Sequence, residues 1–350
     1  MTDVRDLNER EQLILQAVVN SYILSAEPVG SRSVVKRFDL GLSPATVRNV
    51  MADLEELGFL QQIHTSSGRI PTDAGYRYYV NYLMQVHELT IRERSRIEEE
   101  FTERLSDADD VLRHTSQLLA LISNQAGLAE APSDDHAYVK RLEVMQVGPE
   151  RVAILIVDNY SRVRTLTVQL KEGIYPEELQ KLTQFLNDHL YGARLDGLAK
   201  TIESRLKDFL DEQRKIAELA LRVLGLAPPQ RPAQLYLEGA SHLFDQPEFQ
   251  DLGKAREVLG LMEERTVLLD MLRHALSDRD RVNSSIHIGR IEGASGLDDI
   301  SVIASPYYCK GEPVGMIGVL GPRRMPYSRL TAIVDYTAGM VGRILTRLSQ

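Results

Sequence analysis

The residue types that ordinarily carry chemistry are present in this 350-residue chain, but they are not arranged for catalysis. Its eight histidines fall at 64, 87, 114, 136, 189, 242, 274 and 287, with no His-x-x-x-His pair among them, and Cys309 is the single cysteine. No zinc site and no internal disulfide framework is expected from that distribution. Asp134-Asp135-His136 has the composition of a metal or general-base cluster, yet it lies in a Pro- and Ser-bearing stretch and reads as a solvated loop. Gly318-Val319-Leu320-Gly321-Pro322-Arg323-Arg324 lacks the Lys-Ser/Thr of a phosphate loop, so Arg323 and Arg324 read as surface or interface charges. No Gly-x-Ser-x-Gly motif occurs, and no two carboxylates can be given acid and base roles. No catalytic residue, cofactor or metal is therefore assigned. What remains is hydrogen bonding of another kind. Asn49 could pair bidentately with an adenine, and Arg48 with a guanine or a phosphate.

Those two side chains need a rigid carrier, and the segment from Ser43 to Gly58 supplies one. Ser43 can cap the first free N–H groups, Pro44 suits the first helical position, and Gly58 offers the left-handed residue that closes the helix. Val47, Val50, Met51, Leu54 and Leu57 fall within an arc of about 120°, so one face is core. The opposite face carries Ala45, Arg48, Asn49 and Ala52, where an ordinary amphipathic helix more often shows Glu and Lys. Asp53, Glu55 and Glu56 gather in the last turns, which leaves the N-terminal half to approach phosphates. This is the layout of a recognition helix.

The flanking elements agree. Asn8-Glu9-Arg10-Glu11 is a capping box opening a helix to about residue 24; Ser31 is expected to cap a short helix over 32–38. With the central helix these make a helix-turn-helix unit. Residues 59–64 and 69–71 form a hairpin around Thr65-Ser66-Ser67-Gly68, the wing of a winged helix, with Arg69 near its tip. The competing reading is a generic three-helix bundle with a loop. The expected DNA contacts are Arg32, Ser33, Lys36 and Arg37 on the second helix, Ser43, Ala45, Thr46, Arg48 and Asn49 on the third, and His64, Ser66 and Arg69 on the hairpin. Arg32, Lys36, Arg37 and Arg69 would mostly fix position on phosphates, while Ala45 and Ala52 permit close approach. The net charge of −9 argues against non-specific nucleic-acid binding by the whole molecule, but leaves room for this local basic face.

The stretch His64-Thr65-Ser66-Ser67-Gly68-Arg69-Ile70-Pro71-Thr72-Asp73-Ala74-Gly75-Tyr76-Arg77-Tyr78-Tyr79-Val80 resembles the signature of the HrcA family of bacterial heat-inducible transcription repressors. Glu27-Pro28-Val29-Gly30-Ser31 and Ser43-Pro44-Ala45-Thr46-Val47-Arg48-Asn49 are similar to that family's N-terminal motifs, and the likeness extends over essentially the whole chain. The resemblance implies a homodimer that binds double-stranded DNA at an inverted-repeat CIRCE element upstream of chaperone operons. It also implies a partner that the residues do not show, a GroE-type chaperonin that keeps the repressor competent. The alternative is a metabolite-responsive winged-helix repressor.

Beyond the wing the chain changes period twice. A charged connecting helix is expected over 91–106 and a second over 111–124, with Ala129-Glu130-Ala131-Pro132-Ser133 ending it in a loop. Strands follow at 138–147, 151–157 and 163–170, helices at 176–190 and 198–224, and a Pro-rich crossing at 228–232. A strand at 235–237, a helix at 254–276, strands at 285–291, 300–307 and 314–320, and a helix at 327–348 complete the pattern. The fold class expected is α+β multidomain: an N-terminal winged helix-turn-helix, a GAF-like α/β sensor domain that the lead-in helices, late strands and final helix resemble, and, as the resemblance to the HrcA family implies, an inserted α+β dimerisation domain. The boundaries are 1–87 for the winged helix, 88–145 with 230–350 for the GAF-like domain, and 146–229 for the insertion. A competing division gives all three early strands to the GAF-like unit and places the insertion at 173–281. The helices of the insertion carry a surplus of leucine, and Leu179, Leu182, Leu186, Leu206 and Leu210 are expected to face a second subunit. No run approaches the roughly 20 apolar residues of a membrane span and no signal-peptide core opens the chain, so a cytoplasmic, membrane-free protein is expected.

Overall fold

In the computed structural model, which describes residues 7–63, 68–101, 105, 107–170, 175–205, 211–225, 234–274, 284–289 and 299–349, the N-terminal caps form as their chemistry dictates. Asn8 Oδ1 accepts from the N–H groups of Arg10 and Glu11 at 3.0 Å, and Glu11 accepts from the Asn8 N–H at 2.9 Å, opening α1 (Glu9–Ser25). The next helix, α2 (Ser31–Arg37), takes Gly30 as its cap, so Ser31 is its first helical residue rather than the cap expected. In α3 (Pro44–Glu56), Ser43 Oγ accepts from the Thr46 N–H at 3.1 Å, and Val47, Val50, Met51 and Leu54 are buried. Its end is closed by Gly58 at φ +81°, with Phe59 N–H reaching back to the Leu54 carbonyl at 2.9 Å. Strand β1 (Leu60–Gln62) then pairs antiparallel with β2 (Arg69–Pro71).

Two glycines of the 64–80 stretch hold this unit together by what they lack. A Cβ on Gly68 would lie 2.5 Å from the Val29 carbonyl carbon and oxygen, and one on Gly75 would lie 2.1 Å from the Phe59 oxygen. The first closeness lets Arg69 exchange both backbone hydrogen bonds with Val29, at 2.9 Å each, so the hairpin is tied to the link between α1 and α2. The second seats α4 (Asp73–Tyr78) against the backbone of Phe59, just before β1, with Thr72 capping the helix and donating to the Gly58 carbonyl at 2.6 Å. A π-helical turn (Tyr79–Leu83) and α5 (Ile91–Glu100) lead into the body.

The body opens with α6 (Ala108–Ser123), which stops at Asn124 in the left-handed region. After Gln125 comes a fully buried strand, β3 (Ala126–Glu130), which takes in the first two residues of the loop expected over 129–133. The chain then builds a separate sheet in the order β4-β5-β6 from β4 (Val139–Gly148), β5 (Arg151–Asp158) and β6 (Val163–Gln169). Against it pack α7 (Pro176–Leu190), α8 (Leu198–Arg205) and α9 (Asp211–Gly225), with Val152, Ile154, Ile156, Leu182, Phe185, Leu186, Ile202 and Val223 in one core. After β7 (Leu235–Glu238), a short α10 (Ser241–Phe244) and α11 (Leu252–Glu263), a break at Glu264 divides the single helix expected and starts α12 (Arg265–His274). The last elements are β8 (Ser285–Ile288), β9 (Ile300–Cys309), β10 (Glu312–Pro322) and α13 (Tyr327–Leu348).

The larger sheet runs β7-β3-β10-β9-β8, antiparallel at every pairing. Alternate residues face opposite ways. Ile303, Ile317 and Val319 join Leu118, Leu119, Leu330 and Ile333 of α6 and α13, while Val302, Met316 and Leu320 join Leu261, Leu268 and Leu272 of α11 and α12. Because β3 and β7 pair with each other while everything from β4 to α9 shares its own core, that segment is an insertion within the sheet. The boundary expected at 146 therefore cuts through β4, which pairs with β5 from Val139 onward. The competing division at 173–281 fails for the same reason: among the described residues β4, β5 and β6 pair only with each other, and β7 belongs to the larger sheet.

Candidate nucleic-acid interface

The outward side of the N-terminal unit is formed by α2 and the first half of α3. Arg32, Ser33, Lys36 and Arg37 are all exposed on α2, and Ala45, Arg48 and Asn49 are exposed on α3. Arg32, Lys36, Arg37 and Arg48 enter no ion pair among the described residues. Their charge is thus available to an external anion. The back of α3 is locked by Val47 and Leu54, neither of them exposed, so the outer side chains are presented from a fixed base.

The remaining expected contacts divide. Ser43 is exposed, but its hydroxyl is committed to the cap, 2.9 Å from Thr46 Oγ1, and Thr46 is half-buried beside it. Ala52 is half-buried too, and the next exposed residues of α3 are the acids Asp53 and Glu56. His64 and Ser66 lie outside the described residues. Arg69 is the first residue of the return strand, next to the turn, and its Nε donates to Glu55 Oε2 at 2.8 Å with 16% of its side chain exposed. The pair sets Arg69 against one of the three acids at the C-terminal end of α3.

The leucines expected at a subunit boundary are also corrected. Leu182 and Leu186 have no exposed surface and Leu179 has 7%, because all three fill the core between α7 and the β4-β5-β6 sheet. Leu206 and Leu210 lie outside the described residues. Two residues read only as surface or interface charges gain a definite place. Arg323 meets Asp73 and Asp299, and Arg324 meets Glu248 and the Ile23 carbonyl, all at the joint between the N-terminal unit and the body. Nothing in their local sequence indicated that joint, because every partner is distant along the chain. Among the described residues no group of three His, Cys, Asp or Glu side chains could hold a metal ion, and no helix is long and apolar enough to cross a membrane.

A buried-backed helix that offers Arg48 and Asn49, beside a second helix on which Arg32, Lys36 and Arg37 enter no ion pair among the described residues, has the chemistry of a nucleic-acid-facing surface. The family model described as the HrcA protein C terminal domain matches residues 109–331. The chain is 36% identical over 340 residues to the heat-inducible transcription repressor HrcA of Geobacter sulfurreducens, covering 97% of this chain and 98% of that one. It is 34% identical over 340 residues to the same repressor of Brevibacillus brevis, with the same coverage. A crystal structure of a hypothetical protein, 22% identical, has the same fold at a TM-score of 0.65, covering 98% of this chain and 100% of that one. The chain belongs to the HrcA family of heat-inducible transcription repressors, and it is a regulator of transcription rather than an enzyme.

Proposed function

We propose that the protein represses heat-shock chaperone operons by binding an inverted-repeat, CIRCE-type operator as a homodimer in the cytoplasm, with its activity maintained by a GroE-type chaperonin. In this reading the N-terminal unit is a winged helix-turn-helix, the five-stranded sheet with its helices is a GAF-like domain, and the segment from β4 to α9 is an inserted dimerisation domain. The observation that carries the proposal is the outer face of α3: Ala45, Arg48 and Asn49 are exposed on a helix whose opposite face is wholly buried. Such a helix enters a major groove, where Asn49 suits an adenine edge and Arg48 a guanine or a phosphate. One unit of this size covers a single half-site, and two-fold pairing joins two half-sites at high effective concentration. Self-association falls to the side of the β4-β5-β6 sheet away from α7, where Met145, Leu155, Val157 and Val163 share a face and remain half-buried or exposed.

The second reading, a small effector acting on the same operator, has one observation in its favour. A groove of about 880 Å³ between β9 and α13 is lined by Arg94, Lys310 and Arg343 together with Tyr308 and Tyr336. One experiment separates the two. Footprints of the purified protein on its own chaperone promoters are measured alone, with chaperonin, and with a metabolite extract. Protection of an inverted repeat that strengthens with chaperonin supports the proposal; a response to the extract alone supports the second reading, and no protected repeat refutes both.

A further inference from the structure

We infer that Arg323 and Arg324 are positioning residues for operator recognition: they fix the angle at which the three-helix unit is carried on the body, and so the half-site spacing that the dimer accepts. The inference rests on the DNA-reading role proposed above. The two arginines are consecutive, on the link between β10 and α13, and each guanidinium holds both sides of the joint. Arg323 meets Asp73, in the first turn of α4, and Asp299 of the body; its own N–H is held by the Asp299 carbonyl at 3.0 Å. Arg324 donates to the Ile23 carbonyl at 3.0 Å, to Glu248 at 2.7 Å and to Gln246 at 3.2 Å.

The chemistry of each contact favours a fixed geometry. The Ile23 carbonyl belongs to the last turn of α1, where carbonyls lack intrahelical donors and carry the negative end of the helix dipole. That turn has no basic residue of its own, so Arg324 supplies from the far end of the chain the cation that it lacks. A guanidinium is planar and donates in fixed directions, so it sets orientation as well as distance. The side chains of Arg323 and Arg324 are 28% and 13% exposed, which limits screening by solvent. Three further features fix the same joint. Arg77 donates to the Ile288 carbonyl at 2.9 Å, and Tyr76 packs edge-on against Tyr327 with ring centroids 6.0 Å apart. Gly289, at φ +74°, lies so near that a Cβ there would be 2.5 Å from Asp73 Oδ2. None of these residues lies on the outward face of α2 or α3. Their effect on DNA can come only through placement.

The test compares Arg323→Ala, Arg324→Ala and the conservative Arg324→Lys with the parent, each checked for folding by circular dichroism. Binding is measured on the full inverted repeat, on repeats respaced by one to three base pairs, and on a single half-site. The Ala variants are expected to bind the half-site within about twofold of the parent, to lose at least about tenfold on the full operator, and to discriminate less among spacings; Arg324→Lys should recover part of the loss. Should an Ala variant fold poorly, spin labels at exposed Glu56 and Leu259 in Arg324→Lys must show a broader distance distribution than in the parent. Equal losses on half-site and full operator, an unchanged spacing preference, or an unchanged label distribution overturns the inference. A parent that does not prefer the inverted repeat over unrelated DNA overturns the DNA-reading role, and the inference with it.

Discussion

Replacing Asn49 by alanine separates reading from folding, because the two should move in opposite directions. Asn49 is exposed on α3 and packs into no core, so truncation opens no cavity. Alanine is the better helix former by up to about 0.7 kcal/mol, so the N-terminal unit should melt at the same temperature or slightly higher. At the operator the variant loses a bidentate pair that is worth about 1–3 kcal/mol of discrimination per half-site. Two half-sites engaged by a dimer bring this to about 2–6 kcal/mol, a loss of about 30-fold to about 10⁴-fold. Fluorescence anisotropy with a labelled operator and an unrelated duplex at one salt concentration measures both terms. The loss should be confined to the operator, since phosphate contacts from Arg32, Lys36 and Arg37 are untouched. Parent-like affinity for the operator, or an equal loss on both duplexes, would refute the placement of α3 in the groove.

Three other expectations follow from burial and charge. Leu182→Ala should destabilise the inserted unit by about 2–5 kcal/mol, because Leu182 has no exposed surface; Leu182→Asp should unfold that unit, not release a folded monomer, as hydrogen exchange over β4 to α9 would record. Gly75→Ala must move the Phe59 carbonyl or α4, at a cost of about 1–3 kcal/mol or more, and should lower the melting temperature of the N-terminal unit together with operator affinity. The Thr90 N–H and hydroxyl, aided by Arg329 and opposed by slight burial, hold the Glu93 carboxyl down from its ordinary 4.5 to about 2. A depressed carboxylate contributes stability that is present above its ordinary value and lost as pH falls through the folded one. Glu93→Gln should therefore flatten the acid limb of the unfolding curve between those values, and a parent and variant with the same acid limb would contradict the assignment.

Elements whose two ends carry local chemistry were legible in the sequence. Ser43, Pro44 and Gly58 bound α3 from positions at or next to its own ends, and the start and finish of α13 agree with the expected 327–348. Strand β3 was not legible because Ala126-Gly127-Leu128-Ala129-Glu130 has little of the β-branched or aromatic character of a strand. Its clue was Gly127, where a Cβ would lie 2.0 Å from the Ser116 oxygen: a glycine in a strand marks a close backbone approach, here by α6. The leucines of α7 show a different limit. Spacing reveals that a face is apolar, but the core of the same subunit and the surface of another make the same pattern. The ion pair of Arg69 was not legible either, since Glu55 is brought to it by the hairpin's fold.

The placement of β3 also sets an order of events during synthesis. Ala129 must find Ile317 on one edge and Tyr236 on the other, and both partners leave the ribosome only after the whole insertion has been made. The N-terminal unit and the insertion each have their strand partners close in sequence and can settle early, whereas the larger sheet stays open until β10 arrives. During that interval β3 exposes unpaired amides and the side chain of Leu128, the kind of surface that recruits other incomplete chains.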